Sequence, residues 1–297
     1  MTPEERQRIL SRLASSDIVS INYLNSGQTN EDELVQAIVR VNTVFDISSD
    51  DGVPKLRRMI KTLRDAELTL NFESDVYWRH LLTNSWRNYY QVNPLTIEDS
   101  YIVSRDNAEE RLFNYSSAGM DLIPQGVTDR IRSFGSLDSG NNLSFTPSIR
   151  PKYAALNYAK DRYGPANHYG NSYFVLKEHV KHNCTFTDRD SFHVTDEQGH
   201  PENHVANYHN LHRLIIHMSS DKLKKLDEVS HGNYSASGIP DGYIEAQIHG
   251  DVVVIRDVEK MCIDYFELRS GEDYHHGIVE MYYKIFAEKS NIQLIFT

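Results

Sequence analysis

The spacing of apolar residues changes character near residue 150, and that change limits the folds open to this chain. Up to about Leu95 the pattern is helical: Ile9, Leu13 and Ile18 follow one another at turn-like intervals, and DELVQAIVRVNTVF sets Leu34, Ile38 and Val41 on one side. VPKLRRMIKTLRDAEL repeats the theme with Leu56, Met59, Ile60 and Leu63. The first helix opens at MTPEERQRIL, with Thr2 as N-cap, Pro3 in the first turn, and Glu4 and Glu5 near the positive dipole end. From Arg150 onward the runs are short: YAALNY, SYFVLKEHV, RLIIHMS, YIEAQIHG, DVVVIRDV and IQLIFT are apolar or alternating and bounded by Gly, Pro, Asn and Asp. These read as strands, with at least one helix, roughly EDYHHGIVEMYYKIFAEK, near the end. The predicted fold class is α+β: a helical region over 1–95, a helix (RDNAEERLFNYS) and Ser/Gly/Asn-rich loop over 96–149, and a mainly β module over 150–297.

Composition removes several function classes. A net charge of −11 argues against holding nucleic acid by neutralising many phosphates, which needs a basic surface. Two cysteines, Cys184 and Cys262, make neither a disulfide framework nor a Cys-rich zinc signature. No run of about 18 apolar residues is present, so no membrane-spanning helix is expected. The start lacks the apolar core of a signal peptide, so export would use another route.

Motif chemistry is equally selective. GxxxxGK[ST], GxGxxG between strand and helix, and GxSxG are all missing. HPENHVANYHNLHRLIIH puts His200, His204, His209, His212 and His217 at spacings that include i,i+3 and i,i+4, the pattern of a helical metal site. No Glu follows the first His as in HExxH, and Pro201 and the strand-like RLIIH oppose one continuous helix, so a polar loop and no metal are expected. Cys184 has His179 and His182 nearby in sequence but reads as a half-buried strand cysteine.

The segment DGYIEAQIHG holds a strand with a carboxylate at its centre. Alternation puts Ile244, Ala246 and Ile248 on a core face and Tyr243, Glu245, Gln247 and His249 on the other, which is either the wet side of an amphipathic strand or the floor of a polar cleft. Upstream, Arg150 stands before Pro151, which forces an extended backbone, and Ser172 opens the strand GNSYFVL.

Arg, then a strand-borne Ser, then a strand-borne Glu is the order of the Arg-Ser-Glu branch of the ADP-ribosyltransferases, and the chain resembles a bacterial family within that superfamily. The matching residues are Arg150–Leu156 (RPKYAAL), Gly170–Leu176 (GNSYFVL), Thr185–Ser191 (TFTDRDS) and Tyr243–Gly250 (YIEAQIHG), over about 150 to 255. The resemblance implies a transferase-like fold for the 150–297 module and NAD⁺ as co-substrate. It implies Arg150, Ser172 and Glu245 as catalytic residues, with Glu245 stabilising an oxocarbenium-like transition state. Arg150 would grip phosphate or ribose with its multi-donor fork, and Tyr153, Asn171, Ser172, Tyr173 and Gln247 would border the cofactor, with Tyr153, Tyr173 or Phe174 stacking on nicotinamide.

Arginine-directed members carry Glu or Gln two residues before the catalytic Glu, where this chain has Tyr243, which argues against arginine as the acceptor. The chain is similar to the bacterial effector group that ADP-ribosylates a threonine of ubiquitin. That similarity implies a virulence protein secreted without a cleaved signal and acting in host cytosol, the alternative location being cytoplasmic, with its helical region gripping the protein substrate, bracing the cleft or serving as a packing domain alone. His249 would be structural, or else an acceptor for the proton of the attacking hydroxyl. Two alternatives remain at this stage: an NAD glycohydrolase using the same site, and a non-enzymatic binding module on a transferase-like fold.

Overall fold

The structure, a computed structural model, describes residues 2–14, 31–88, 105, 108–109, 111–113, 150–194, 201–234, 242–270 and 276–297. The predicted N-terminal helices are present as α1 (Pro3–Ala14), α2 (Glu31–Phe45) and α3 (Ser49–Asp65). Thr2 caps α1, its hydroxyl oxygen accepting from the Glu5 N–H at 3.2 Å. α3 buries Leu56, Met59, Ile60 and Leu63, the residues its apolar spacing selects. Ile18, His200 and the loop SFGSLDSGNNLSFTPS lie outside the described residues, and of RDNAEERLFNYS the helical backbone is described at Arg105, Ala108, Glu109 and 111–113.

Helix does not continue to residue 95. Glu67–Phe72 forms β1, which reads ELTLNF and alternates Leu68, Leu70 and Phe72 with Thr69 and Asn71. The further strands are β2 (Ser85–Trp86), β3 (Lys152–Asn157), β4 (Ser172–Leu176), β5 (Cys184–Thr187), β6 (Ala206–Asn207), β7 (Glu245–Ile248), β8 (Val252–Val253), β9 (Val258–Ile263) and β10 (Gln293–Phe296). An eight-stranded sheet has the order β10-β9-β4-β1-β3-β7-β5-β6, and β2 pairs with β8 apart from it. All pairings are antiparallel except β10 with β9, which makes the large sheet mixed. The architecture is α+β, as its sequence texture predicts. β1, however, comes from the first third of the chain and sits between β4 and β3, so neither residue 95 nor residue 150 divides the sheet.

Two other expectations change. RLIIHMS is not a strand: His212–His217 is helical (α4), because Leu211, Leu214, Ile215 and Met218 recur at helical intervals and all are buried. DVVVIRDV divides into β8, a helical turn over Val254–Asp257 and the start of β9. A helical turn over Ser74–Tyr77 runs into a 3-10 turn over Trp78–Thr83, and later helices include α5 (Ser220–Ser230), α6 (Tyr265–Ser270) and α7 (His276–Ser290), the last where the sequence places it.

Strand alternation gives the sheet two unlike faces. The registers Leu68↔Leu156, Ala154↔Ala246 and Phe186↔Ala246 align an apolar face. It joins Leu13, Ile38 and Leu56 of the first helices, Leu214 of α4, Leu226 of α5 and Tyr283 of α7 in one buried cluster. The registers Tyr153↔Gln247, Ala155↔Glu245, Thr185↔Gln247 and Thr187↔Glu245 align the opposite, polar face. Over this face passes the chain from Asp161 to Gly170, tied to the sheet by Asn71, whose Nδ2 donates to the Tyr163 carbonyl (2.7 Å) and the Gly170 carbonyl (2.9 Å). Gly170 has φ 127°, and a Cβ there would stand 2.2 Å from the Phe72 backbone, so only glycine lets the loop cross so closely.

Candidate active site

The polar face is not a wet surface. Glu245 and Gln247 are fully buried (0 % exposed) and Tyr243 and His249 nearly so. A buried polar row must be hydrogen-bonded throughout or it destabilises the fold, and this one is joined end to end. Glu245 Oε1 accepts from the Ser191 N–H at 3.1 Å and from Gln247 Nε2 at 2.9 Å, while Oε2 accepts from the Tyr243 hydroxyl at 3.2 Å. Gln247 Nε2 also donates to Thr187 Oγ1 at 2.9 Å, and Thr187 donates onward to the Arg189 carbonyl at 2.7 Å. Thr185 donates to Gln247 Oε1 at 2.9 Å, which leaves its oxygen to accept from His249 Nε2 at 2.8 Å. That direction assigns the imidazole proton to Nε2. His249 is thus a tether of the row; burial first, and the Lys152 charge second, lower its pKa to about 3.

Arg150 reaches the same face from the lead-in to β3. Its carbonyl accepts from Asn88 Nδ2 at 2.9 Å, and its buried guanidinium donates from Nη1 to Glu109 Oε2 at 2.6 Å. The Tyr153 hydroxyl donates to Glu109 Oε1 at 2.5 Å, and the Arg105 guanidinium lies over the Tyr153 ring at 3.6 Å. Burial pushes Glu245 up to about 7, aided by the Asp190 charge and opposed by Arg105, the Ser191 N–H and Gln247. Burial likewise pushes Glu109 up to about 7, with Tyr153 and Arg105 opposing and the Glu245 charge adding. The two carboxylates are therefore electrostatic neighbours, and Arg105 acts on both.

The structure separates the other sequence candidates from this cluster. Ser172 lies opposite Phe72 on the apolar-face register; its hydroxyl donates to Glu267 Oε2 at 2.6 Å and accepts from the Asp264 N–H at 2.9 Å. Asn171 gives its backbone N–H to Glu267 Oε1 at 2.8 Å, and Ser74 joins the same carboxylate from its N–H and hydroxyl, both at 3.1 Å. Ser172 and Asn171 thus tie β4 to α6. β4 is three strands from β7, roughly 14 Å at about 4.8 Å per strand, so Tyr173 is also remote from Glu245. Tyr173 clusters with Val175 and Cys262, and Phe174 packs on Phe72 in the main core at a centroid distance of 4.5 Å. The hydroxyls beside Glu245 come from Thr185 and Thr187 instead. Gln247 is bound to Glu245 rather than open to a ligand.

The aromatic groups nearest Glu245 are Tyr243 and the loop pair His168–Tyr169. The His168 ring lies 3.9 Å from Tyr169 and 5.4 Å from Tyr243, and Tyr169 is 42 % exposed, the accessible edge of the group. Sequence reading missed Arg105, Glu109, Tyr169 and Asp190. The i,i+4 spacing of Arg105 and Glu109 in a predicted helix was the available signal, since it puts both on one side.

Of the described histidines in that run, His204 stacks on His217 at 4.0 Å, His209 lies 5.7 Å from His182, and His212 approaches Glu33 at 3.5 Å. Among the described residues no group of three or more His, Cys, Asp or Glu has metal-binding geometry. Both cysteines are buried free thiols, and burial raises the pKa of each. No helix among the described residues is long and apolar enough to cross a membrane.

Residues 101–211 are similar to a family described as a protein of unknown function (DUF3626). The matched stretch carries Arg105, Glu109, Arg150, Tyr153, Thr185 and Thr187 and ends before Glu245. No curated protein matches the chain.

Proposed function

We propose that the protein is an NAD-dependent mono-ADP-ribosyltransferase that modifies a side-chain hydroxyl of a host protein, a ubiquitin threonine being the acceptor favoured by the sequence resemblance. The observation that carries this reading is the polar sheet face shared by Tyr153 and Glu245, with Arg150 and Tyr153 joined through Glu109, Arg105 acting on Glu109 and Glu245, and Glu245 held at both oxygens. In this role Glu245 meets the positive charge that grows on the ribose as the bond to nicotinamide breaks. A carboxylate already oriented by Ser191, Gln247 and Tyr243 in a low-dielectric site stabilises that charge without reorganising. The guanidinium of Arg150 and the hydroxyl of Tyr153 suit a pyrophosphate, and the exposed Tyr169 suits a nicotinamide ring. Thr185 and Thr187 fix Gln247 and through it Glu245. The setting for the protein is that of a bacterial effector delivered to host cytosol.

The reading is tested by incubating a host-cell lysate with labelled NAD and either the wild-type protein or Glu245→Gln, which keeps the volume of the side chain. Transfer by the variant should fall on the order of 100- to 1,000-fold, the usual effect of losing one transition-state contact. Equal labelling by both proteins would remove Glu245 from the chemistry. Nicotinamide release with no label on protein would favour a glycohydrolase at the same site.

A further inference from the structure

Glu109 fills a set of donors that suit a different anion. Its Oε2 accepts from Arg150 Nη1 at 2.6 Å, its Oε1 accepts from the Tyr153 hydroxyl at 2.5 Å, and Oε1 stands 3.4 Å from Arg105 Nε. Two guanidinium groups and a phenol converge here on the two oxygens of one buried carboxylate. A carboxylate is the nearest side-chain equivalent of a pair of phosphate oxygens, and guanidinium forks serve both. We propose that Arg105, Arg150 and Tyr153 form an anion site whose internal occupant is Glu109, and that a phosphate or pyrophosphate group of a ligand takes the place of that carboxylate.

Three features favour an occupant that can leave. Arg150 and Tyr153 belong to β3 and its lead-in, whereas Glu109 comes from helical backbone outside the sheet, so its withdrawal breaks no strand pairing. Phe113, in the same helical segment, is buried with its ring edge-on to His249 at 5.2 Å, so the segment meets the polar face through a ring contact. Glu109 also sits within the field of Glu245, so like charge works against its carboxylate where it now lies. Anion sites are satisfied either by ligand or by protein, and here Glu109 supplies a counter-charge to the buried Arg150.

The inference uses the transferase reading only to name NAD as the natural source of the pyrophosphate, and its test separates the two. Wild-type protein, Glu109→Gln and Glu109→Ala are titrated calorimetrically with inorganic pyrophosphate and, separately, with NAD, and each is melted with and without pyrophosphate. Both variants should bind pyrophosphate at least tenfold more tightly than the wild type, and adding Tyr153→Phe should reduce that gain. Glu109→Gln keeps the shape of the side chain, so it reports even where Glu109→Ala fails to fold. Should both fold poorly, pyrophosphate should restore cooperative melting, and failure to do so would overturn the proposal. Equal or weaker pyrophosphate binding by the variants would also overturn it and make Glu109 a fixed structural partner of Arg150. Tighter pyrophosphate binding with no NAD binding would keep the anion site and remove the transferase reading. NAD binding that is the same in all three proteins would keep the transferase reading and remove this one.

Discussion

The Tyr243 hydroxyl donates to Glu245 Oε2 at 3.2 Å, joining two residues that alternation puts on the same side of one strand. With Ser191 and Gln247 on Oε1, it favours the ionised carboxylate against the burial that pushes Glu245 up to about 7. The carboxylate form is the one that stabilises a cationic sugar, so transfer should rise with pH through about 7. Tyr243→Phe removes the donor on Oε2, and one such bond contributes ~1 kcal/mol, so the midpoint of the rate profile should move up by about 0.5–1 pH unit. Initial rates across neutral pH check this; an unmoved midpoint would show that Tyr243 does not act on the Glu245 charge.

Ser172→Ala separates the resemblance from the geometry. Ser172 bonds Glu267 and the Asp264 N–H, three strands from Glu245, so its loss should weaken the join between β4 and α6. Stability should fall by about 1–2 kcal/mol, read as a lower denaturation midpoint, while transfer per folded molecule stays within about twofold. Loss of transfer with unchanged stability would return Ser172 to the chemistry.

Gly170→Ala should damage the fold itself. Its φ of 127° and the 2.2 Å approach to the Phe72 backbone leave no room for a methyl group, so about 1–3 kcal/mol of strain is expected. Because the loop it ends carries His168 and Tyr169 to Tyr243, thermal melting and NAD affinity should decline together. A variant with the wild-type melting temperature would contradict the close crossing.

Much of the fold was legible because apolar spacing is a local property. YAALNY, SYFVL and YIEAQIHG became β3, β4 and β7, and the sequence spacing of α1–α3 selected buried faces. ELTLNF was overlooked although it alternates cleanly, since it follows a long helical run, and RLIIH was too short for its period to tell helix from strand. The site was less legible. Alternation sorted Tyr243, Glu245, Gln247 and His249 onto one face, but what covers that face depends on chain distant in sequence, and Glu109 reaches it from outside the sheet. Ser172 illustrates the same limit: which strands flank β7 is decided by pairing, and pairing placed Thr185 and Thr187 there.

If Glu245 drives transfer of ADP-ribose from NAD to a protein hydroxyl, its loss should abolish the modification and leave the fold intact. Intact and peptide mass spectrometry of ubiquitin incubated with NAD and either the wild-type protein or Glu245→Gln tests it most directly, with matched melting curves showing that both are folded. A mass gain of one ADP-ribose on a threonine, made by the wild type and missing with the variant, is the predicted result. An unmodified protein pool after incubation of both ubiquitin and whole lysate with the wild type, or equal modification by the variant, would contradict the account.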